Sequence, residues 1–272
     1  MIRLNGKLDL AIENYYNITT KIYQTSPLYF KVMSKANRII IFLAILGGYY
    51  TLENPCFREV KKLCINNDLL STNALDSFIS FLCVGGRLEL SRNEQDKRKL
   101  TYRPTAKGLN EVYELISSLL LPYRIIYPEF DLADRLSHDD FMVVFFKNHS
   151  QVILNEIFIY DAVPDCREFV TRDGGHMIMF NLYIESVRQK TLAVKYNYLK
   201  ASTEFSVSRS HIKRCFLAAE HLGLLHLKQD GKTIELTPRF IEMVKDSFCF
   251  YLATVEYGVL GAQSTAAIKK AL

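Results

Sequence analysis

The sequence predicts a mainly α-helical protein with two small β-hairpins, in which one layout is written twice. Three observations carry that expectation. Ser71, Gly86, Leu88 and Leu90 recur as Ser208, Gly223, Leu225 and Leu227 at a constant offset of 137 residues. Between the Ser and the Gly, both copies place apolar residues at i, i+3, i+4 and i+7: Leu75, Phe78, Ile79 and Leu82, then Ile212, Cys215, Phe216 and Ala219. That is the buried stripe of one helix, begun by a Ser N-cap and ended near a Gly. Each copy then runs into an alternating strand, a polar turn and a second strand. A helix followed by a hairpin is the layout of a winged helix-turn-helix. The expected fold class is therefore mainly α with small β-wings, as two tandem winged helix-turn-helix domains forming a pseudo-dimer.

Taken in order, residues 8–25 read as a helix with Leu8, Ile12, Tyr15, Tyr16 and Thr19 on one face, broken by Pro27. A strongly apolar helix over 37–50 ends at Gly47-Gly48 and the Asn54-Pro55 turn. A short amphipathic helix over 56–65 (Phe57, Val60, Leu63, Cys64 inward) and a turn over 65–70 lead to the candidate recognition helix at 71–84. The first wing spans 87–104, with strands 87–91 and 99–104, and a helix over 107–121 stops at Pro122. In the second copy, Ser137 caps a helix over 138–159, closed by the turn at 161–164. Helices at 175–189 and 192–201 and a turn at 202–207 precede the second recognition helix, 208–222. The second wing, 224–237, turns on Asp230-Gly231, a strong hairpin signal, and a final helix covers 238–255. The expected domains are 1–122 and 137–258, joined by a linker over 123–136 and followed by a tail over 259–272.

Charge is distributed unevenly. Residues 87–107 carry seven Lys/Arg against three acids and 188–232 carry nine against three, whereas 125–187 carry four against eleven. Basic charge thus gathers on the two helix-hairpin units, the electrostatic footprint expected of a double-stranded DNA partner. The apolar run from Ile39 to Gly48 is too short to span a bilayer, no secretory leader is legible at the start, and the six cysteines follow no disulfide or metal spacing. A cytoplasmic location with reduced thiols and no membrane partner is the expectation.

The string Asp96-Lys97-Arg98-Lys99-Leu100-Thr101-Tyr102-Arg103-Pro104-Thr105-Ala106-Lys107-Gly108 is the most specific in the chain. It resembles the wing signature of the MarR family of transcriptional regulators: an Asp, basic positions, a strand, then Thr-x-x-Gly opening a helix. The resemblance covers most of 9–121 and, more loosely, 138–255. It implies that Asp96 braces Arg98 and that Arg98 reaches the minor groove, where a guanidinium held by a carboxylate loses less rotamer entropy on insertion. Pro104 stands where the family has an aliphatic residue, and the second wing is about five residues shorter, since Thr105 and Thr237 lie only 132 apart.

The second recognition helix opens with Ser208, Arg209, Ser210, His211, Lys213 and Arg214. Arg209, Ser210, Lys213 and Arg214 project away from the apolar stripe. Arg can pair bidentately with guanine, and Ser and His can bond bases or phosphates. The first helix offers Thr72, Asn73 and Ser77 instead, with Asp76 nearby, so the two copies are not expected to read the same bases. Arg92, Lys97 and Lys99 on the first wing and Lys228 and Lys232 on the second complete the candidate DNA-binding set.

Catalysis and cofactors find no support: there is no GxSxG, no phosphate loop and no metal spacing beyond His211/Cys215, whose Cys belongs to the buried stripe. Thiol sensing is the alternative to plain packing for Cys56, Cys64 and Cys83. A small aromatic effector among Tyr15, Tyr16, Tyr23, Tyr29, Phe30, Tyr49 and Tyr50 is the alternative to core packing there. The expected function is a sequence-specific, DNA-binding transcriptional regulator, monomeric as a fused pseudo-dimer. Its rivals are a tandem winged-helix replication initiator and a protein-binding winged-helix scaffold.

Overall fold

The computed structural model describes residues 6–92, 100–130 and 136–261. Helices α1 (Leu8–Thr25), α2 (Pro27–Met33), α3 (Ala36–Thr51), α4 (Phe57–Asn66) and α5 (Thr72–Val84) precede the hairpin β1 (Leu88–Arg92) and β2 (Leu100–Pro104), which leads into α6 (Ala106–Ile126). The second half runs α7 (His138–Leu154), α8 (Ile159–Ala162), a 3-10 turn, α9 (Arg167–Val170) and α10 (Gly175–Gln189). Strand β3 (Ala193–Lys195), α11 (Tyr198–Glu204), α12 (Arg209–His221), the hairpin β4 (Leu225–Lys228) and β5 (Thr233–Leu236), and α13 (Pro238–Leu260) complete it. The described residues are mainly helical with two small antiparallel sheets, in keeping with a mainly α chain carrying small β-hairpins.

The local chemistry repeats between the halves. The Ser71 hydroxyl accepts from the Ala74 N–H at 3.3 Å, and Ser208 from the His211 N–H at 3.1 Å, so both are N-caps. Gly86 and Gly223 both take left-handed φ, 69° and 70°, at the exits of α5 and α12. Thr105 and Thr237 cap α6 and α13 and also donate back to the carbonyls of Gly86 and Gly223. Lys107 Nζ donates to Gly85 O at 3.0 Å and Arg239 Nη1 to Leu222 O at 2.9 Å, so a cation covers a terminal carbonyl in each half.

The halves pack reciprocally. Helix α1 lies on α6 and reaches across to α10, α7 lies on α13 and reaches across to α3, and α6 and α13 meet each other. Tyr16 Oη accepts from Asn181 Nδ2 at 2.8 Å and Tyr183 Oη donates to Asp9 at 2.7 Å across that junction. The buried side chains form one cluster drawn from both halves.

Several elements differ from the sequence reading. Helix α1 ends at Thr25, as the break at Pro27 predicts, but Pro27 also opens a further helix, α2, at whose first turn a missing N–H is harmless and the ring's φ already suits a helix. Gly47 and Gly48 lie inside α3 and do not end it. A Cβ on Gly47 would sit 3.2 Å from Ser150 Cβ of α7, and one on Gly48 2.5 Å from Tyr102 Oη, so the pair serves close approach. Pro122 lies inside α6: a helix-interior Pro costs about 3 kcal/mol. Burial of Tyr123 and Ile126 beyond it, at about 1.5–3 kcal/mol each, offsets that cost and shortens the expected linker. Helix α7 ends at Leu154, not 159, because Glu156 turns left-handed at φ 55°. Residues 193–195 are strand, not helix, with Val194 fully buried between exposed neighbours and facing Ile234 of β5. Helix α13 continues to Leu260, past the expected end at 255.

The two sheets are unequal. In the second, β5 is central, between β3 and β4. In the first, β1 and β2 pair alone, and the place of β3 is reduced to a single bridge from Cys56 to Thr101. In the tight second turn Asp230 and Gly231 take positive φ (56° and 81°), as the Asp-Gly pair predicts, and Gln229 before them is also at positive φ (52°).

Candidate nucleic-acid interface

The apolar stripe of α12 is buried on Ile212, Cys215, Phe216 and Ala219, which turns Arg209, Ser210, Lys213 and Arg214 to solvent. Among the described residues Arg209 and Arg214 have no ion-pair partner, so their charge is available. Lys213 Nζ lies 5.8 Å from the ring centroid of Tyr198, whose hydroxyl donates to Gly231 O at 2.9 Å. That chain of contacts sets the exposed face of α12 beside the tip of the second hairpin. Lys232 is exposed there, and Lys228 is exposed with Glu235 at 3.6 Å, a surface pair of little energetic weight.

Two candidates on α12 are used structurally. Ser208 caps the helix and shares a 2.9 Å contact with Ser210. His211 turns aside: its Nε2 lies 2.9 Å from the Asp173 carbonyl, which can only accept, so the ring donates there. Burial lowers the His211 pKa, with smaller contributions from its neighbours, so the neutral donor form is favoured. Asp173 also pairs with Lys35 at 3.0 Å, tying the corner before α3 to the loop before α10 and α12.

Helix α5 presents a different surface. Thr72, Asn73, Asp76, Ser77 and Ser80 are exposed. Ser77 Oγ donates to Asn73 O at 2.8 Å and Ser80 Oγ to Asp76 O at 2.9 Å, so both hydroxyl protons are turned onto their own helix. Asp76 lies 3.7 Å from Lys61 of α4, which offsets its charge. On the hairpin, Arg92 is exposed at the outer end of β1, opposite Leu100. Asp96, Lys97, Arg98 and Lys99 fall outside the described residues, and the proposed brace of Arg98 by Asp96 with them.

Sequence reasoning passed over two basic residues. Arg103 is exposed on β2 between the buried Tyr102 and Pro104, an outward position that simple alternation marks. Arg87 is the reverse. It is buried, forks onto Glu111 at 2.6 and 2.7 Å, and stacks 3.4 Å over the Tyr29 ring. It counts in the basic balance of 87–107 but belongs to the core, and its partner lies too far along the chain for any local pattern to find.

Burial raises the thiol pKa of Cys64 and Cys215 to about 11 and of Cys166 to about 12, and raises that of Cys83. These thiols stay protonated, as packing groups do. No group of three or more His, Cys, Asp or Glu that could hold a metal occurs among the described residues, and no helix there is long and apolar enough to cross a membrane. No known protein family, curated protein or solved structure gives a match to this chain.

Proposed function

We propose that this chain is a double-stranded-DNA-binding regulator, built as two diverged winged helix-turn-helix units in one polypeptide. The observation that carries the reading is the face of α12. Arg209, Lys213 and Arg214 stand exposed on consecutive turns, next to a hairpin tip bearing Lys228 and Lys232. A basic helix face beside a basic hairpin suits a helix laid in the major groove with a wing on the flanking backbone. The repeated caps, left-handed glycines and carbonyl-covering cations support two copies of one unit. Transcriptional control is the outcome that the Asp96–Gly108 resemblance favours over replication initiation.

Fluorescence anisotropy of the full chain on pooled genomic fragments, repeated across salt concentrations, tests the reading. Binding that weakens linearly in log salt, with selected fragments retained over bulk competitor, supports it. A single observation favours the scaffold reading: α5 presents no basic side chain to solvent. Absence of salt-dependent binding to any fragment would leave the two exposed helix faces as protein-docking surfaces.

A further inference from the structure

A cavity of about 210 Å3 lies where α1, α3 and α6 of the first half meet α7, α10 and α13 of the second. It is larger than the apolar hole of about 150 Å3 that suffices to hold a benzene molecule. None of its lining residues is Lys, Arg, Asp or Glu. Its polar lining groups are nearly all engaged. Tyr15 and Tyr251 place their hydroxyls 2.8 and 3.3 Å from the two nitrogens of His176, Tyr23 donates to Phe205 O at 3.0 Å, and Ser118 and Thr254 donate to carbonyls within their own helices. His149 is the exception. The residue is 6% exposed, its ring is stacked on Phe145 with centroids 5.1 Å apart, and its buried Nδ1 has no hydrogen-bond partner. A buried polar atom left unpaired costs about 1–3 kcal/mol, and the imidazole that carries this one is a lining residue of the cavity.

We propose that this cavity is a binding site for a neutral, largely apolar small molecule, of the bulk of one or two fused rings, whose single hydroxyl hydrogen-bonds His149. A hydroxyl can donate or accept, so it satisfies either imidazole tautomer. An anion is disfavoured, because the wall holds no cation and burial keeps His149 neutral near pH 7 by lowering its pKa to about 4. The site needs no nucleic acid and stands whether or not the chain binds DNA.

Thermal denaturation and equilibrium dialysis of the full chain with 2-naphthol, naphthalene and 2-naphthoate at pH 7.5 separate the contributions. The expected result is a raised Tm with 2-naphthol, binding roughly tenfold tighter than naphthalene for one added hydrogen bond, and no shift with 2-naphthoate. His149→Leu should retain naphthalene and bring the two affinities together, His149→Gln should keep the preference, and Thr254→Phe, at a half-buried lining position, should abolish binding of both. The proposal is overturned if neither neutral compound binds up to its solubility, or if 2-naphthoate binds as well as 2-naphthol. A preference that survives His149→Leu, or binding that survives Thr254→Phe, overturns it equally.

Discussion

Two glycines show how differently a single added methyl is received. A Cβ on Gly175 would lie 1.9 Å from the Phe169 carbonyl oxygen, a backbone atom that cannot swing aside. A Cβ on Gly86 meets nothing within 4 Å, and the cost there is only that of a left-handed φ of 69°. Urea denaturation should therefore show Gly175→Ala losing more than about 3 kcal/mol and Gly86→Ala losing about 1–2 kcal/mol. Equal losses would place the contact elsewhere. His149 sets a second residue-scale expectation, in acid. Its folded pKa is lowered to about 4 against an ordinary 6.5, so the unfolded chain binds the extra proton first as pH falls. The stability tied to the neutral ring is complete above 6.5 and is lost between 6.5 and 4, amounting to about 2 kcal/mol by pH 5. Burial lowers the His176 pKa as well and adds in the same direction. Replacing His149 with Leu should shift the acid-unfolding midpoint downward, and an unmoved midpoint would show the ring to be solvated. Under the proposed DNA-binding reading, Arg98→Ala should weaken DNA binding by roughly 1–3 kcal/mol if the side chain makes a specific groove contact. Equal affinity of Arg98→Ala and the parent chain at moderate salt would remove it from the interface.

At the scale of elements, periodicity was informative where one face is buried and misleading where two halves meet. The stripes of α5 and α12, their Ser caps and the second hairpin turn were legible because each depends on residues within one or two turns. Gly47-Gly48 and Pro122 read as stops because their justification lies far along the chain, in Ser150, Tyr102 and the shared core. Strand β3 was missed for the same reason: three residues beside Leu192 carry too little alternation to outweigh a helical reading until β5 is there to pair with them. For the interface, the outward positions of Arg209, Lys213 and Arg214 followed from the stripe, while the turning of His211 to Asp173 O did not. The two sheets now differ in a measurable way. Strand β5 is hydrogen-bonded on both sides, whereas β2 has β1 and one bridge to Cys56. Amide exchange should be slower across 233–236 than across 100–104, because opening the second sheet breaks two ladders. Faster exchange in 233–236 would contradict the central placement of β5.

Across the whole molecule, the duplication proposed above would free two copies in one chain from any requirement to stay alike, and the exposed surfaces of the two halves do differ. The second half presents Arg209, Lys213, Arg214, Lys228 and Lys232 on one helix and hairpin, while α5 presents amides, hydroxyls and an Asp76 offset by Lys61. If both helices engage one duplex, the halves contribute different physics. Phosphate contacts by the second supply affinity and salt dependence, and Asn73 of the first reads a base edge with little charge involved. The bound site should then be non-palindromic. Lys213→Ala and Arg214→Ala should each lower the slope of log affinity against log salt by about 0.9, the increment for one lost phosphate contact. Asn73→Ala should leave that slope nearly unchanged while relaxing preference at one or two base positions. Sites selected from a random library, together with these slopes, decide the matter. A perfect palindrome bound by two chains, each using the same helix, would show that the asymmetry of the fused halves has no part in recognition.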